Sequence, residues 1–374
     1  MPDLKIKPYN SQTWYTLRDV PVLSCNWEIN RAGMLNASVP YPQAMEVLAT
    51  IRNAGYSGVQ TFAGMICEFS DPGAGRWGGK VMQYGGADGM AQISALSYEI
   101  LLRKTLVPID TSGNAYGNGD GRGHPGRVME KVLGYYNNVA GDSDADSTSP
   151  RLKIDTSNPF VTTGTVDVSI VGRLDAYDDI LPMCTDDVGF EFNVDADRKA
   201  TFAQDLGTVR TSGTNAVTLV EGTHISAASW QDDSTNIVNS IRGSWIEKKT
   251  VNYGRGGKKS KTTATKQIGT YNDAESIAQF GVLRERRDYG VLKSKNSFNN
   301  QMKNEVNQLK YLLPLITVEV VNVDNVWARF NHGDTVNLQL GSTGYTGKFR
   351  IMVRSLDATR GVMVCSGYGD KRTG

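Results

Sequence analysis

Tyr271-Asn272-Asp273-Ala274-Glu275-Ser276-Ile277-Ala278-Gln279-Phe280-Gly281 opens the C-terminal quarter of the chain, and the elements downstream of it decide the fold. Phe298, Met302, Val306, Leu309 and Leu313 recur at spacings of three or four, which predicts an amphipathic helix over about 297–313 with one apolar face. A strand is expected from Thr317 to Val323. The turn His332-Gly333-Asp334-Thr335-Val336 comes next, and two more strands close near Val364. Gly supplies a positive φ in such a turn and Asp bonds nearby backbone. The order of parts is thus a short polar segment, one helix, and a small β-unit around a Gly-Asp turn.

Working outward, strands are expected at Ala216–Val220, Ile225–Trp230 and Ile237–Lys248. Tyr253–Thr265 reads as a Gly/Lys/Thr loop carrying Arg255, Lys258, Lys259 and Lys261, at the tip of a long hairpin arm. Near the N-terminus, strand-like runs cover Val20–Ile29, Leu35–Val39 and Val59–Cys67. Val81–Tyr84 and Ala91–Tyr98 continue that sheet after the turn Asp71–Gly79. Between these β-runs lies a different texture. A helix begins after Pro125-Gly126 with Val128, Val132, Leu133 and Tyr136 on one face. A second is expected at about 176–188, with Pro182 marking its first turn. Phe190–Asp195 alternates apolar with polar and returns through Ala200–Phe202, a β-hairpin. The expected class is α+β, β-rich.

Several local words carry a resemblance. They are Asn272-Asp273-Ala274-Glu275-Ser276-Ile277 with Phe280-Gly281; Gly333-Asp334-Thr335-Val336; Thr201-Phe202-Ala203 to Gly207; Val217–Ile225 with its Glu221-Gly222 step; and Trp27-Glu28-Ile29-Asn30 followed by Ala37–Pro40. Taken in their order along the chain, these segments resemble the tail-hub proteins of bacteriophages, which cap the tail tube in siphophages and form the baseplate hub in myophages. The resemblance implies two tail-tube-like β-barrel domains with an inserted smaller α+β domain: residues 1–98, an inserted side domain at 99–215, and 216–374 with the one long helix. It implies a structural virion protein of the tail tip, made in the host cytoplasm, that forms a homotrimer. The ring would dock on a distal tail protein or tail tube protein and adapt sixfold symmetry to a threefold central fibre, spike or tape measure protein. DNA would pass it without tight binding.

Composition agrees. The 374 residues suffice for two or three domains, and 40 glycines suit a β-rich chain with many turns. The net charge of +1 gives no overall field toward nucleic acid or a membrane surface. No apolar run approaches the roughly 18 residues of a membrane span, so no membrane insertion is expected, and Met1–Lys7 lacks the apolar core of a signal peptide. Cys25, Cys67, Cys184 and Cys365 are widely separated, form no CxxC pair, and are expected to be buried free thiols.

Each chemical motif fails at a required residue. Asp142-Ser143-Asp144-Ala145-Asp146 starts like a calcium loop, but Ser147 and Lys153 stand where Gly and Glu are needed. Asp195-Ala196-Asp197 sits in a hairpin turn. The Gly-rich run 117–126 has no following Lys with Ser or Thr, as a phosphate loop requires. His124, His224 and His332 lie far apart with no HExxH. Asp178-Asp179, Asp186-Asp187 and Asp232-Asp233 are adjacent pairs that read as caps or solvated charge rather than as glycosidase carboxylates. No GxSxG elbow occurs. The chain stops at Gly374, soon after its last strand, so it is expected to be the hub without an added hydrolase. No catalytic, cofactor or metal site is therefore expected. Two alternatives stay open: a peptidoglycan-degrading tail enzyme, from the carboxylate pairs, and a carbohydrate-binding receptor-recognition tip, from six Trp and 16 Tyr.

Overall fold

The computed structural model describes residues 2–9, 11–103, 105–108, 122–138, 152–158, 160, 168–169, 173–185, 189–232, 237–253, 259–292, 295–311 and 313–370. The first segment carries β1 (Leu4–Lys7), β2 (Tyr15–Leu17), β3 (Val22–Glu28), β4 (Met34–Pro40), helix α1 (Tyr41–Asn53), β5 (Ile66–Asp71), β6 (Gly75–Ala87) and β7 (Met90–Ser97). The middle carries β8 (Leu106–Pro108), β9 (Arg122–Gly123), α2 (Pro125–Asn138), β10 (Val168–Ser169), β11 (Arg173–Asp175), α3 (Leu181–Cys184), β12 (Glu191–Val194) and β13 (Ala200–Ala203). The last carries β14 (Val209–Arg210), β15 (Thr218–Val220), β16 (Ile225–Asp232), β17 (Ser240–Tyr253), β18 (Lys259–Asn272), α4 (Ala274–Phe280) and β19 (Arg284–Leu292). It ends with α5 (Lys295–Leu309), β20 (Pro314–Val321), β21 (Thr335–Leu340), β22 (Tyr345–Asp357) and β23 (Val362–Gly369).

The fold is β-rich α+β. Strands from the two ends of the chain meet in one sheet of 14 strands, with the central order β16-β20-β23-β22-β3-β4-β7-β6-β5-β1-β2. The seam is the antiparallel pair β22–β3, with Val353 opposite Glu28 and Asp357 opposite Ser24. Alternation explains why these residues form strands. In β20, Ile316, Val318 and Val320 are buried, while Thr317 and Glu319 alternate toward solvent. In β3, β4 and β7 the inward set is Leu23, Cys25, Leu35, Ala37, Ile93 and Ala95. Both ends of the chain contribute to one apolar core that includes Trp77, Phe69, Phe330 and Phe349. The expected closure into two separate barrels is not seen: no sheet closes on itself among the described residues, because the edge of each unit is used to pair with the other. The four cysteines are buried and free.

A second core belongs mainly to the middle segment. Val128, Met129, Val132 and Leu133 of α2 pack with Ile180, Leu181, Phe192 and Phe202. The helix expected at 176–188 is a wide π-helical turn, Ala176–Ile180, running into α3; Asp175 caps its start and Pro182 lies in the first turn of α3. Pro182 has no N–H to continue a regular ladder, which favours the widened turn before it. Residues 142–146, 186–187 and the first half of the Gly-rich run, 117–121, lie outside the described residues.

The remaining unit is an arm. β17 and β18 form an antiparallel hairpin in which Ser240 faces Asn272 and Tyr253 faces Lys259, and β19 adds parallel to β17. The stretch expected to be a loop as far as Thr265 is strand from Lys259 onward; Thr262, Thr263 and Thr265 are β-branched and each pairs with β17. Helix α5 does not pack on a barrel, as the sequence reading expects. It covers the three-stranded arm sheet, where Phe298, Met302 and Val306 meet Ile241 and Trp245. Glycines at the contact make this possible: a Cβ on Gly243 would come within 2.8 Å of the Phe298 ring, and one on Gly269 within 2.6 Å.

Helix α1 is absent from the sequence reading, which places only strands between 14 and 70. Its signal is the buried set Ala44, Leu48 and Ile51 at helical spacing, with a proline in the first turn.

Candidate assembly surfaces and the central junction

The seam gathers the charged groups that apolar patterning would have placed outside. Arg354 lies on β22 with only 2% of its surface exposed. Its Nη1 donates to Asn331 Oδ1 at 2.8 Å, and Nη2 donates to the carbonyls of Ala74 and Trp327, both at 3.3 Å. The guanidinium stands 5.4 Å from the Trp27 ring centre and 5.2 Å from that of Phe330. A buried cation thus holds the β5–β6 turn, the Val323–Arg329 segment and β22 together. The delocalised, flat guanidinium tolerates such a site better than a lysine ammonium would.

Carboxylates fix the neighbouring segments. Gly333 has φ of +87°, so the sharp turn ahead of β21 needs glycine. Asp334 comes directly after it, 3% exposed. It accepts the Asn331 N–H at 2.8 Å, the Thr208 N–H at 2.7 Å and Arg210 Nε at 2.5 Å. The Gly-Asp turn therefore bonds its own backbone, as expected, and also ties down Arg210 of β14 from 124 residues away. A Cβ on Gly207 would collide with the Gly333 carbonyl oxygen, which explains the glycine there. Glu191 joins the middle hairpin to β22: Arg350 Nη2 donates to its two oxygens at 2.7 and 2.6 Å, and Leu206 N–H adds a third bond at 2.6 Å.

A small cleft of about 120 Å³ lies at this junction between β3, the β5–β6 turn and the β12–β13 turn, with Trp27, Arg76, Glu99, Asp195, His332 and Arg354 on its walls. Glu99 accepts from Ser97 Oγ at 2.5 Å and from Val194 N–H at 2.7 Å. Burial pushes its carboxyl up to about 7, against the lowering effect of those two hydrogen bonds. Burial also lowers the His332 imidazole to about 4, helped by the Arg354 charge, so this ring is neutral near pH 7.

The outward face of the large sheet is of a different kind. Ser24, Asn26, Asn36, Ser38, Gln92 and Ser94 form a carpet of hydroxyls and amides across β3, β4 and β7. They bond one another: Ser38 Oγ donates to Gln92 Oε1 at 2.6 Å, and Ser94 Oγ donates to Asn36 Oδ1. Asn26 Oδ1 accepts the Met34 N–H. No Lys or Arg stands at the outward positions of these three strands.

The sequence candidates for chemistry are scattered. His124 Nδ1 accepts from Gly126 N–H, and His224 Nδ1 accepts from Val220 N–H. Asp178 pairs with Arg103, Asp179 accepts the Asp175 N–H, and Asp195 caps the turn through Asp197 and Lys199. Among the described residues no group of three His, Cys, Asp or Glu is arranged to hold a metal ion. Sequence reasoning missed Arg354, Glu99, Glu191 and Arg210. The signal for Arg354 was available, as one charge inside the apolar run Ile351-Met352-Val353-Arg354-Ser355-Leu356. Arg210 and Glu191 find partners more than 120 residues away, which no local pattern encodes.

No protein-family profile and no curated protein matches the chain. Solved structures do. The chain is similar to a tail protein from Neisseria meningitidis MC58, at 12% identity and a TM-score of 0.58, over 98% of this chain and 96% of that one. It is similar to the 43 kDa tail protein of prophage MuSo2 from Shewanella oneidensis, at 9% identity and a TM-score of 0.58, over 98% of each chain. It also resembles the c3393 protein of E. coli, described as a type VI secretion component with structural similarity to the T4 tail proteins gp27 and gp5. There the identity is 10% and the TM-score 0.50, over 99% of this chain and 79% of that one. The resemblance read in the sequence holds at the level of architecture: from end to end, this chain has the fold of phage tail proteins.

Proposed function

We propose that this protein is a structural component of a phage tail tip or baseplate, a homotrimeric hub without catalytic activity that caps the tail tube and adapts its sixfold symmetry to a threefold fibre or spike. The observation that carries this is the β22–β3 seam. It sets two β-units from opposite ends of one chain edge to edge, with the middle segment held to one side by Glu191–Arg350. Three such chains around an axis present six β-units in the manner of two tube-like domains per subunit, while the three middle segments keep threefold spacing. A closed cyclic arrangement leaves no open surface for further growth. It also covers β16 and β2, which end the strand order of the large sheet among the described residues and would otherwise invite aggregation.

The partners suited to that arrangement are a distal tail or tube protein above and a fibre, spike or tape measure protein below. The hydroxyl and amide carpet on β3, β4 and β7 suits a surface past which DNA slides, because it offers no cation to neutralise phosphates. Counting the chain against the tube protein in purified tails by quantitative mass spectrometry tests the reading. Half as many copies per ring as the tube protein is expected. Equal copy numbers, or absence from tails, would overturn it.

A further inference from the structure

Charge is unevenly distributed along this chain. Residues 240–272, which make the β17–β18 hairpin, hold eight Lys and Arg against one acidic residue, a net +7; since the whole chain is +1, the remainder carries −6. The described part of the arm shows where some of this charge points. One face of the arm sheet is covered by α5. Arg287 lies on that side and its Nε reaches Glu305 of α5 at 2.7 Å. On the other face Ser240 is buried at the base of the hairpin, and the positions beyond it are exposed or half-buried among the described residues. In the register of β17 and β19, Arg242 stands directly beside Arg286 and Ser240 beside Arg284, all at alternate positions of their strands from Arg287. Arg242, Arg284 and Arg286 are exposed. On β18, Ile268 lies on this face and is 62% exposed. Lys266 and Asp288 pair with each other at 3.6 Å on this face, and Arg284 Nε donates to Ser240 Oγ at 2.8 Å.

Like charges on neighbouring strands destabilise a sheet, and an exposed isoleucine beside them adds apolar surface facing water. Arg around an apolar residue is the composition of an interface rather than of a solvated face. We propose that this arginine-bearing face of the arm docks onto an acidic surface of a second copy of this chain. The choice of a second copy rests on the complementary charge of the rest of the molecule, and on the proposed ring, in which copies lie side by side. Opposite potentials would steer the arm onto its neighbour and fix its register.

The test uses the full-length chain, as a mixture of unlabelled and nitrogen-15-labelled protein, with a zero-length carbodiimide that couples amines to carboxylates. Cross-links from Lys266 to an Asp or Glu of a differently labelled copy are expected. In sedimentation, self-association should weaken as salt rises and should fall about tenfold or more for R242E/R286E. The single variant R242E supplies a readout that a purely structural role would move the other way. It converts a repulsive neighbour pair into an attractive one, so its Tm should hold or rise while association weakens. No self-association up to about millimolar concentration, or association indifferent to these variants and to salt, would overturn the proposal. So would duplex DNA binding that R242E/R286E abolishes while association between copies is untouched. A trimer that survives R242E/R286E in assembled tails would remove the arm contact and leave the hub reading standing; a protein that is not trimeric in tails would remove both.

Discussion

Replacing Phe298 with alanine should loosen the arm while leaving the large sheet folded. Phe298 is 2% exposed, lies against Trp245 with ring centres 5.8 Å apart, and meets the Tyr289 ring edge-on at 5.6 Å. It closes over Gly243 and Gly269, which carry no side chains of their own to move into the space it leaves. Among the described residues the arm core has only five buried apolar residues, against 40 in the core of the large sheet. Removing a buried Phe costs about 3–5 kcal/mol. At about 1.4 kcal/mol per factor of ten, local opening of β17–β19 becomes at least a hundredfold more frequent. Hydrogen exchange followed by peptide mass spectrometry reads this directly. Amides of Ile241–Trp245 should lose protection by about that factor while those of β3, β22 and β23 keep theirs. Unchanged protection in the arm would refute the account of α5 as its clamp. Equal loss across the β22–β3 seam would refute the account of the arm as a separate cooperative unit.

Other outcomes rest on the same geometry. Gly243→Ala places a methyl 2.7 Å from Tyr289 and 3.0 Å from Met302 Sδ, and should cost about 1–3 kcal/mol in thermal or urea unfolding. Asp334→Asn keeps the turn but removes the charge from three hydrogen bonds, one of them to Arg210. A loss of about 2 kcal/mol is expected, and a Tm equal to the wild type would show that the tie to β14 carries no energy. Glu99, raised from 4.5 to about 7 in the folded chain, favours the folded state at low pH; this contribution is lost as pH rises between those values, by about 3 kcal/mol at most. Glu99→Gln should therefore flatten the stability profile on that limb. His332, lowered from 6.5 to about 4, acts in the opposite direction: stability present above 6.5 is lost as pH falls toward 4, and His332→Gln should flatten the acid limb. Purified cell walls should keep their turbidity in the presence of the protein, and clearing would contradict the non-catalytic reading.

The parts legible in the sequence were those with a local period. Phe298, Met302 and Val306 announced α5, the alternation through Phe192 and Phe202 announced the β12–β13 hairpin, and Gly333-Asp334 announced a turn with positive φ. What those elements pack against was not legible. The helix period says that a face is buried and is silent on its partner; a barrel is the expectation, and the glycines at 243 and 269 seat α5 on the arm instead. The Thr-rich stretch from Lys259 reads as loop because its lysines, and the glycines ahead of it at 254, 256 and 257, obscure the β-branched residues that pair with β17. The seam itself depends on the register of β22 against β3, more than 300 residues apart, where the only local clue was a charge at Arg354 inside an apolar strand. The surfaces obey the same rule. A basic hairpin shows in composition, whereas the single face that gathers Arg242, Arg284 and Arg286 shows only once β19 is known to lie parallel to β17.

A reconstruction of the assembled tail, with density for this chain resolved, tests the central claim most directly. The account predicts three copies in one closed ring. Each would place its two β-units in tandem around the axis, with the β22–β3 seam between them and the middle segment at threefold positions outside. A ring of six copies, a single copy, or a chain contributing only one unit to the ring would contradict it.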